Sequence, residues 1–191
     1  MVIIGAGTLG TYAAQAFLGV GATVYILDRE LQRLQQVDTA LHGQAITMVS
    51  HEFNVRKTVK FADVVVGAVL VPGQRAPIVV TREMVRDMKA RSVIIDMSID
   101  QGGCVETSRP TTHRSPTFMD EGVIHCCVPN LPSVVARTAT HAFNNAAWPY
   151  IQALTRLGLD GALEAYPALA RGVNLRGGQI INPALRASEV N

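Results

Sequence analysis

The sequence predicts a doubly wound α/β fold, a parallel sheet covered by helices on both faces, followed by a helical C-terminal tail. Short apolar, β-branched runs alternate with longer segments of helical period, the pattern of strands joined by crossover helices. Each run is almost wholly apolar, as burial on both faces of a parallel sheet requires. The strand candidates are residues 2–4, 22–27, 45–49, 64–69, 92–97 and 123–127, giving a six-stranded sheet. Residues 8–19 and 30–41 read as helices, and 52–61 and 81–88 as shorter ones. Asp28 and Thr81 are candidate start residues, because their side-chain oxygens can accept orphan N–H bonds of a first helical turn. Past residue 133 the character changes: 137–157 reads as one long helix, and glycines and prolines then break the chain into short pieces. The expected division is a domain over 1–135 and a tail over 136–191 that belongs to a second, incomplete domain. Only Met1 to Ile4 precede the first glycine, fewer than the ~5–6 residues of an ordinary strand, so the chain is expected to be part of a longer one.

Composition narrows the classes of partner. With 191 residues, 48% hydrophobic and 17% charged, the chain holds enough apolar content for a packed core. No apolar run approaches the ~18 residues of a membrane span, and the N-terminus has no signal-peptide pattern, so neither a membrane span nor secretion is expected. The net charge of +2 comes from dispersed Lys and Arg, which argues against nucleic acid or acidic lipid and for a small molecule or another protein. Cys104, Cys126 and Cys127 cannot pair off evenly, which fits a reduced, cytoplasmic compartment. No two histidines have metal-ligand spacing and Cys126-Cys127 is not a C-x-x-C pair, so no metal is expected.

The chemistry concentrates at the first glycines. Gly5-Ala-Gly7-Thr-Leu-Gly10 places G-x-G-x-x-G directly after a strand and at the head of an amphipathic helix. Gly5 allows the tight turn, Gly7 leaves room for a pyrophosphate, and Gly10 lets the helix lie close to the sheet. The helix start offers unpaired N–H groups and a partial positive charge to a diphosphate. Asp28 ends the second strand, where a carboxylate meets the adenosine ribose, hydrogen-bonds its 2′-hydroxyl and repels a 2′-phosphate. NAD is therefore expected over NADP, although Arg29 beside Asp28 is a possible phosphate partner.

Ligands of such sheets sit outside the carboxyl ends of the strands, so three further loops matter. They are Val69-Leu-Val-Pro-Gly73, Ser98-Ile-Asp100-Gln-Gly-Gly-Cys104 and Val128-Pro-Asn130-Leu-Pro132. Asp100 is the carboxylate among them, either a general acid, base or charge partner of a reacting amine, or a cap of its own turn. Cys104 reads as a small buried side chain and Met84, Met88 and Met97 as core filling. His42, His51 and His141 show no partner, and Lys57, Lys60 and Lys89 fall on helices away from the strand ends.

The run Ile99-Asp-Gln-Gly-Gly-Cys-Val-Glu-Thr-Ser-Arg-Pro-Thr-Thr-His113, followed by Cys127-Val-Pro-Asn-Leu-Pro132, resembles alanine dehydrogenase. Gly5 to Gly10, Ile26-Leu-Asp28, Gly67 to Gly73 and Ala168-Leu-Ala-Arg-Gly-Val-Asn174 are similar to that family in order and spacing. The related proton-translocating transhydrogenase shares the nucleotide fold, but the run Arg109 to His113 fits the dehydrogenase better. The resemblance implies a Rossmann domain and NAD-dependent deamination of L-alanine to pyruvate and ammonia. It places Thr8 and Leu9 at the pyrophosphate, Asp28 and Arg33 near the ribose, Ser50 near the adenine, and Val69 and Leu70 along the cofactor's edge. It sets Met97, Ser98, Ile99 and Asp100, with Val128, Pro129, Asn130 and Leu131, around the nicotinamide, Asp100 being the catalytic aspartate. In that family sequence before the glycine motif supplies the Lys, Arg and His that hold the substrate, so this chain is expected to bind NAD with an incomplete substrate site. The alternatives are a noncatalytic NAD-binding module and a transhydrogenase-like subunit. A homo-oligomer is expected from the apolar face of the long helix.

Overall fold

A computed structural model describes residues 1–183 and 185. Two compact units divide at Pro129 and Asn130. In the first, a seven-stranded sheet carries β1 (Val2–Ile4), β2 (Tyr25–Asp28), β3 (Ile46–Val49), β4 (Val64–Gly67), β5 (Val93–Asp96), β6 (Thr117–Asp120) and β7 (Val123–Cys126). Their spatial order is β3-β2-β1-β4-β5-β7-β6. The sheet is thus a Rossmann sheet whose order reverses between β1 and β4, where a crevice opens at the carboxyl ends of the strands. Crossover helices are α1 (Thr8–Gly19), α2 (Leu31–Ala40), α3 (Glu52–Phe61) and α4 (Arg82–Arg86).

Strand geometry explains why so few residues suffice. Successive side chains point to opposite faces, and here both faces are covered. Val2, Ile4, Leu27 and Val65 pack with Val55 and Val59 of α3 and Met84 and Val85 of α4. Ile3, Ile26 and Val66 pack with Ala14 of α1 and Leu34 and Val37 of α2. In register, Ile3 sits between Ile26 and Val66, so the second face is a continuous apolar row across three strands. At about 1.5–3 kcal/mol for each fully buried side chain of this size, the three central strands anchor the unit.

Several expectations need correction. The sheet has seven strands instead of six, and β6 runs antiparallel to β7. The residues of β6, Thr117-Phe-Met-Asp120, lie at the edge with an alternating exposed and half-buried pattern, so they lack the apolar run by which the other strands are recognised. Glu121 and Gly122 both have positive φ, 49° and 75°, the geometry of a tight hairpin turn that joins antiparallel strands. At the other edge β3 is only half-covered, with Ile46 and Val49 exposed. Thr81 does cap α4, accepting from the Met84 N–H at 3.3 Å. Asp28 does not occupy the cap position of α2, which Glu30 takes. His51 has a partner after all: its Nδ1 accepts from the Asn54 N–H at 3.4 Å and caps α3. Lys89 lies past α4 and pairs with Asp63 at 2.6 Å.

The second unit opens on a short 3-10 turn and continues as α5 (Ala136–Ala165), α6 (Pro167–Arg171) and a small hairpin of β8 (Leu175–Arg176) and β9 (Gln179–Ile180). Gly158, at φ 69°, interrupts α5, so the regular helix ends at Leu157 as expected. Phe143, Trp148, Ile151 and Leu157 are exposed along it. No described helix is long and apolar enough to cross a membrane.

One buried histidine ties β7 to the segment that precedes β6. His125 is fully buried, donates from Nδ1 to the Val123 carbonyl at 3.0 Å and accepts at Nε2 from the Thr107 hydroxyl at 2.7 Å. The carbonyl can only accept, so Nδ1 carries a proton, and in the neutral ring Nε2 is the acceptor for Thr107. Phe118 stacks on the ring at 4.9 Å, and burial lowers the histidine's pKa from its ordinary 6.5. A base with a depressed folded pKa contributes stability that is complete above the unfolded value and is lost as pH falls below it. The urea midpoint of the chain is therefore expected to drop between pH 7 and pH 5, and to drop less in His125→Gln.

Candidate functional site

The crevice at the strand ends is an open cleft of about 1010 Å³, walled by the loops after β1, β2, β3 and β4. Its floor is the glycine turn. Gly5 has φ 109°, and a side chain there would overlap the Ala68 carbonyl, so the turn packs directly against the loop after β4. At Gly10 a methyl group would overlap the Gly5 carbonyl, which forces α1 close under the turn. Gly7 differs: nothing lies within 4 Å of where its side chain would project. That open space lies in the cleft.

The start of α1 is bare. Gly7 occupies the cap position without any side-chain hydrogen bond, and no acidic residue stands in the first turn. The N–H groups of that turn have no partner within a helix, and their dipoles leave a partial positive charge at the cleft. Thr8 and Leu9 line the cleft at this point.

Asp28 is the buried carboxylate of the cleft, Glu30 the exposed one. The Asp28 Oδ2 accepts from the Ala6 N–H at 2.7 Å and its Oδ1 from the Glu30 N–H at 2.9 Å. The side chain is 9% exposed and fixed from two sides, so the end of β2 and the glycine turn move as one piece. A carboxylate has about four acceptor positions, and two remain for a ligand's hydroxyls. Arg29 and Arg33 line the same wall, Arg33 paired with Glu30 at 3.1 Å. Ser50, Val69 and Leu70 complete it.

The structure thus gathers Gly5, Gly7, Thr8, Leu9, Asp28, Arg33, Ser50, Val69 and Leu70 around one cleft. Gly10 lies beneath the turn as its support. Met97, Ser98, Ile99, Asp100, Val128 and Pro129 are in the first unit but outside the cleft wall, whereas Asn130 and Leu131 begin the second unit. Asp100 is exposed in the 3-10 turn Ile99–Gln101, which closes at Gly102 with φ 93°. Cys104 is buried, and desolvation together with the Asp96 charge pushes its thiol up to about 12, so it is no nucleophile at neutral pH.

Sequence reasoning passed over one residue, Asp96. It is 1% exposed at the end of β5, and its carboxylate accepts N–H bonds from Ser98 at 3.0 Å, Cys104 at 3.0 Å and Val105 at 3.2 Å. The available signal was an acid closing the run Val93-Ile-Ile-Asp96, where burial makes any charge expensive. Among the described residues no three His, Cys, Asp or Glu side chains gather as metal ligands do.

A doubly wound sheet carrying G-x-G-x-x-G at its first strand-to-helix turn, above an open cleft, defines the Rossmann class. Within that class the chain belongs to the family described as alanine dehydrogenase/PNT, C-terminal domain, whose model matches residues 1–183. It is 44% identical over 180 residues to an alanine dehydrogenase of Halomonas elongata, covering 94% of this chain and 48% of that protein. It is also 44% identical over 186 residues to an alanine dehydrogenase of Methanococcus maripaludis, covering 97% of this chain and 50% of that one. The chain spans about half the length of the curated relatives it matches. A solved L-alanine dehydrogenase superposes with a TM-score of 0.85 at 43% identity, over 99% of this chain and 52% of the other. A transhydrogenase from Sinorhizobium meliloti shares the fold, with a TM-score of 0.74 over 96% of this chain and 49% of the other, at 24% identity.

Two substitutions separate binding from folding. Gly7→Ala fills open space and is expected to leave the urea midpoint unchanged while weakening dinucleotide binding. Gly10→Ala forces backbone apart and is expected to lower stability by about 1–3 kcal/mol, the range for overpacking. Equal unfolding curves for both variants would contradict the assignment of one glycine to the ligand and the other to the fold.

Proposed function

We propose that this chain is the NAD-binding half of an alanine dehydrogenase, the enzyme that oxidises L-alanine with NAD and water to pyruvate, ammonium, NADH and a proton. The observation that carries it is the pairing of a bare helix start and an open Gly7 with Asp28 fixed at the neighbouring strand end. These are the groups a dinucleotide needs: amides for two phosphates, space for their approach, and a carboxylate for a ribose diol. The cleft volume, about 1010 Å³, is ample for such a ligand. Family membership and the alanine dehydrogenases of similar sequence support the substrate.

The amides of Thr8 and Leu9 hold the pyrophosphate. Asp28 binds the adenosine ribose beside Arg33, and Ser50 borders the adenine. Its charge disfavours a 2′-phosphate, which selects NAD over NADP. Val69 and Leu70 flank the dinucleotide on its way toward the ends of β4 and β5. Met97, Ser98 and Ile99, with Val128 and Pro129, border the nicotinamide. The nicotinamide supplies the hydride acceptor. Asp100 stabilises positive charge on the substrate nitrogen as hydride leaves the neighbouring carbon, because a carboxylate opposes charge where it develops. Substrate-holding groups come from the part of the relatives that this chain does not match.

The enzyme is cytoplasmic and associates with copies of itself. Support for association comes from α5, where Phe143 is 71% and Trp148 56% exposed, large apolar side chains of the kind that mark interaction surfaces. Sedimentation equilibrium is expected to return a mass at least twice 20.5 kDa, and a monomer would overturn this.

The cofactor site is tested by titrating NADH fluorescence. Asp28→Ala is expected to weaken NADH by about tenfold and to narrow the preference over NADPH, the cost of one charged hydrogen bond. Unchanged NADH affinity with no gain for NADPH removes Asp28 from the ribose. Asp100→Asn is expected to keep NADH affinity within about twofold, as for an exposed side chain, while abolishing pyruvate amination when placed in a full-length dehydrogenase.

A further inference from the structure

Asp96 is buried without a basic partner among the described ion pairs. Its Oδ1 accepts from the Ser98 N–H at 3.0 Å and the Cys104 Sγ–H at 3.6 Å, and its Oδ2 from the N–H groups of Cys104 and Val105 at 3.0 and 3.2 Å. Four donors thus converge on the four acceptor positions of one carboxylate. The loop from Ser98 to Val105 is wrapped around that charge, and Gly103 and Gly67 leave room for it: a side chain at either would come within 3.0 Å of a carboxylate oxygen.

The network does not end in the loop. Ser98, whose amide Asp96 holds, accepts from the Val69 N–H through its Oγ at 2.9 Å. Val69 and Leu70 wall the cleft, and Ala68 packs against the glycine turn. A continuous chain of hydrogen bonds therefore runs from the Asp96 carboxylate through Ser98 to the β4 side of the cleft. Burying an unneutralised carboxylate is costly, and an amide cannot replace it, since half of an asparagine's head group would present N–H to N–H.

We infer that Asp96 is a positioning residue for the nicotinamide end of the cleft, holding Ser98 so that Ser98 fixes the Val69–Leu70 wall and the loop bearing Asp100. This rests on the cleft being an NAD site. The phosphate and adenosine end is held by different hydrogen bonds, those of Gly5 to Leu9 and Asp28, and among the described bonds none of these reaches Asp96.

That separation supplies the test. Binding of NADH and of ADP-ribose, which lacks the nicotinamide, is measured on the 191-residue chain and on Asp96→Asn and Ser98→Ala, with circular dichroism to follow folding. Both variants are expected to lose about tenfold in NADH affinity, the value of one buried hydrogen bond, while ADP-ribose affinity stays within about twofold. Bound NADH is also expected to lose its fluorescence enhancement in the variants. Ser98→Ala leaves the carboxylate network in place and decides the matter if Asp96→Asn does not fold. Parallel losses for both ligands, or no loss for NADH, overturn the role of Asp96. A wild-type chain that binds neither ligand overturns the NAD site itself, and the inference with it.

Discussion

Main chain meets main chain around the turn after β1, and the surrounding architecture follows from that closeness. Gly10 brings α1 against the Gly5 carbonyl, Gly5 rests against the Ala68 carbonyl, and the Ala6 amide reaches the Asp28 carboxylate at 2.7 Å. These contacts lock the ends of β1, β2 and β4 to one another at the point where the strand order reverses. The cleft has rigid walls because backbone sets it. Apart from Asp28, whose carboxylate is one of the locking contacts, the side chains there are free to serve a ligand.

Three acids close strands of this sheet: Asp120 at the end of β6 pairs with Arg82 at 3.1 Å, whereas Asp28 and Asp96 are satisfied by amides instead of cations. Asp28 at the end of β2 takes two N–H donors, and Asp96 at the end of β5 takes three and a thiol. Each steers the chain as it leaves the sheet. They differ in what remains: Asp28 keeps acceptor positions toward the cleft, whereas Asp96 is saturated and 1% exposed. One carboxylate is placed to be read by a ligand and the other to shape the wall beside it.

Much of this was legible in the residues. Apolar runs located β1, β2, β4, β5 and β7 because strands buried on both faces must be apolar throughout, and the glycine spacing located the cleft. The edges were harder. β6 alternates because only one side is covered, and the fold depends there on the positive φ of Glu121 and Gly122, which a composition-based search does not register. Asp96 escaped notice because its importance lies in donors from residues 98, 104 and 105, a convergence that exists only once the loop has closed. His51 likewise looked unattached, although its Nδ1 caps α3. The roles of Met97 to Asp100 came from family resemblance, since spacing by itself left Asp100 equally suited to capping.

Trp148, on α5, is the single tryptophan of the chain and stands 56% exposed. Indole emission therefore reports the second unit and is silent about the sheet. Quenchers dissolved in the buffer reach that ring directly, so a blue-shifted, protected spectrum signals that another surface has covered the helix. Melting of the nucleotide fold needs a different chromophore, with Tyr25 in β2, edge-on to Phe61 at 5.1 Å, the natural one.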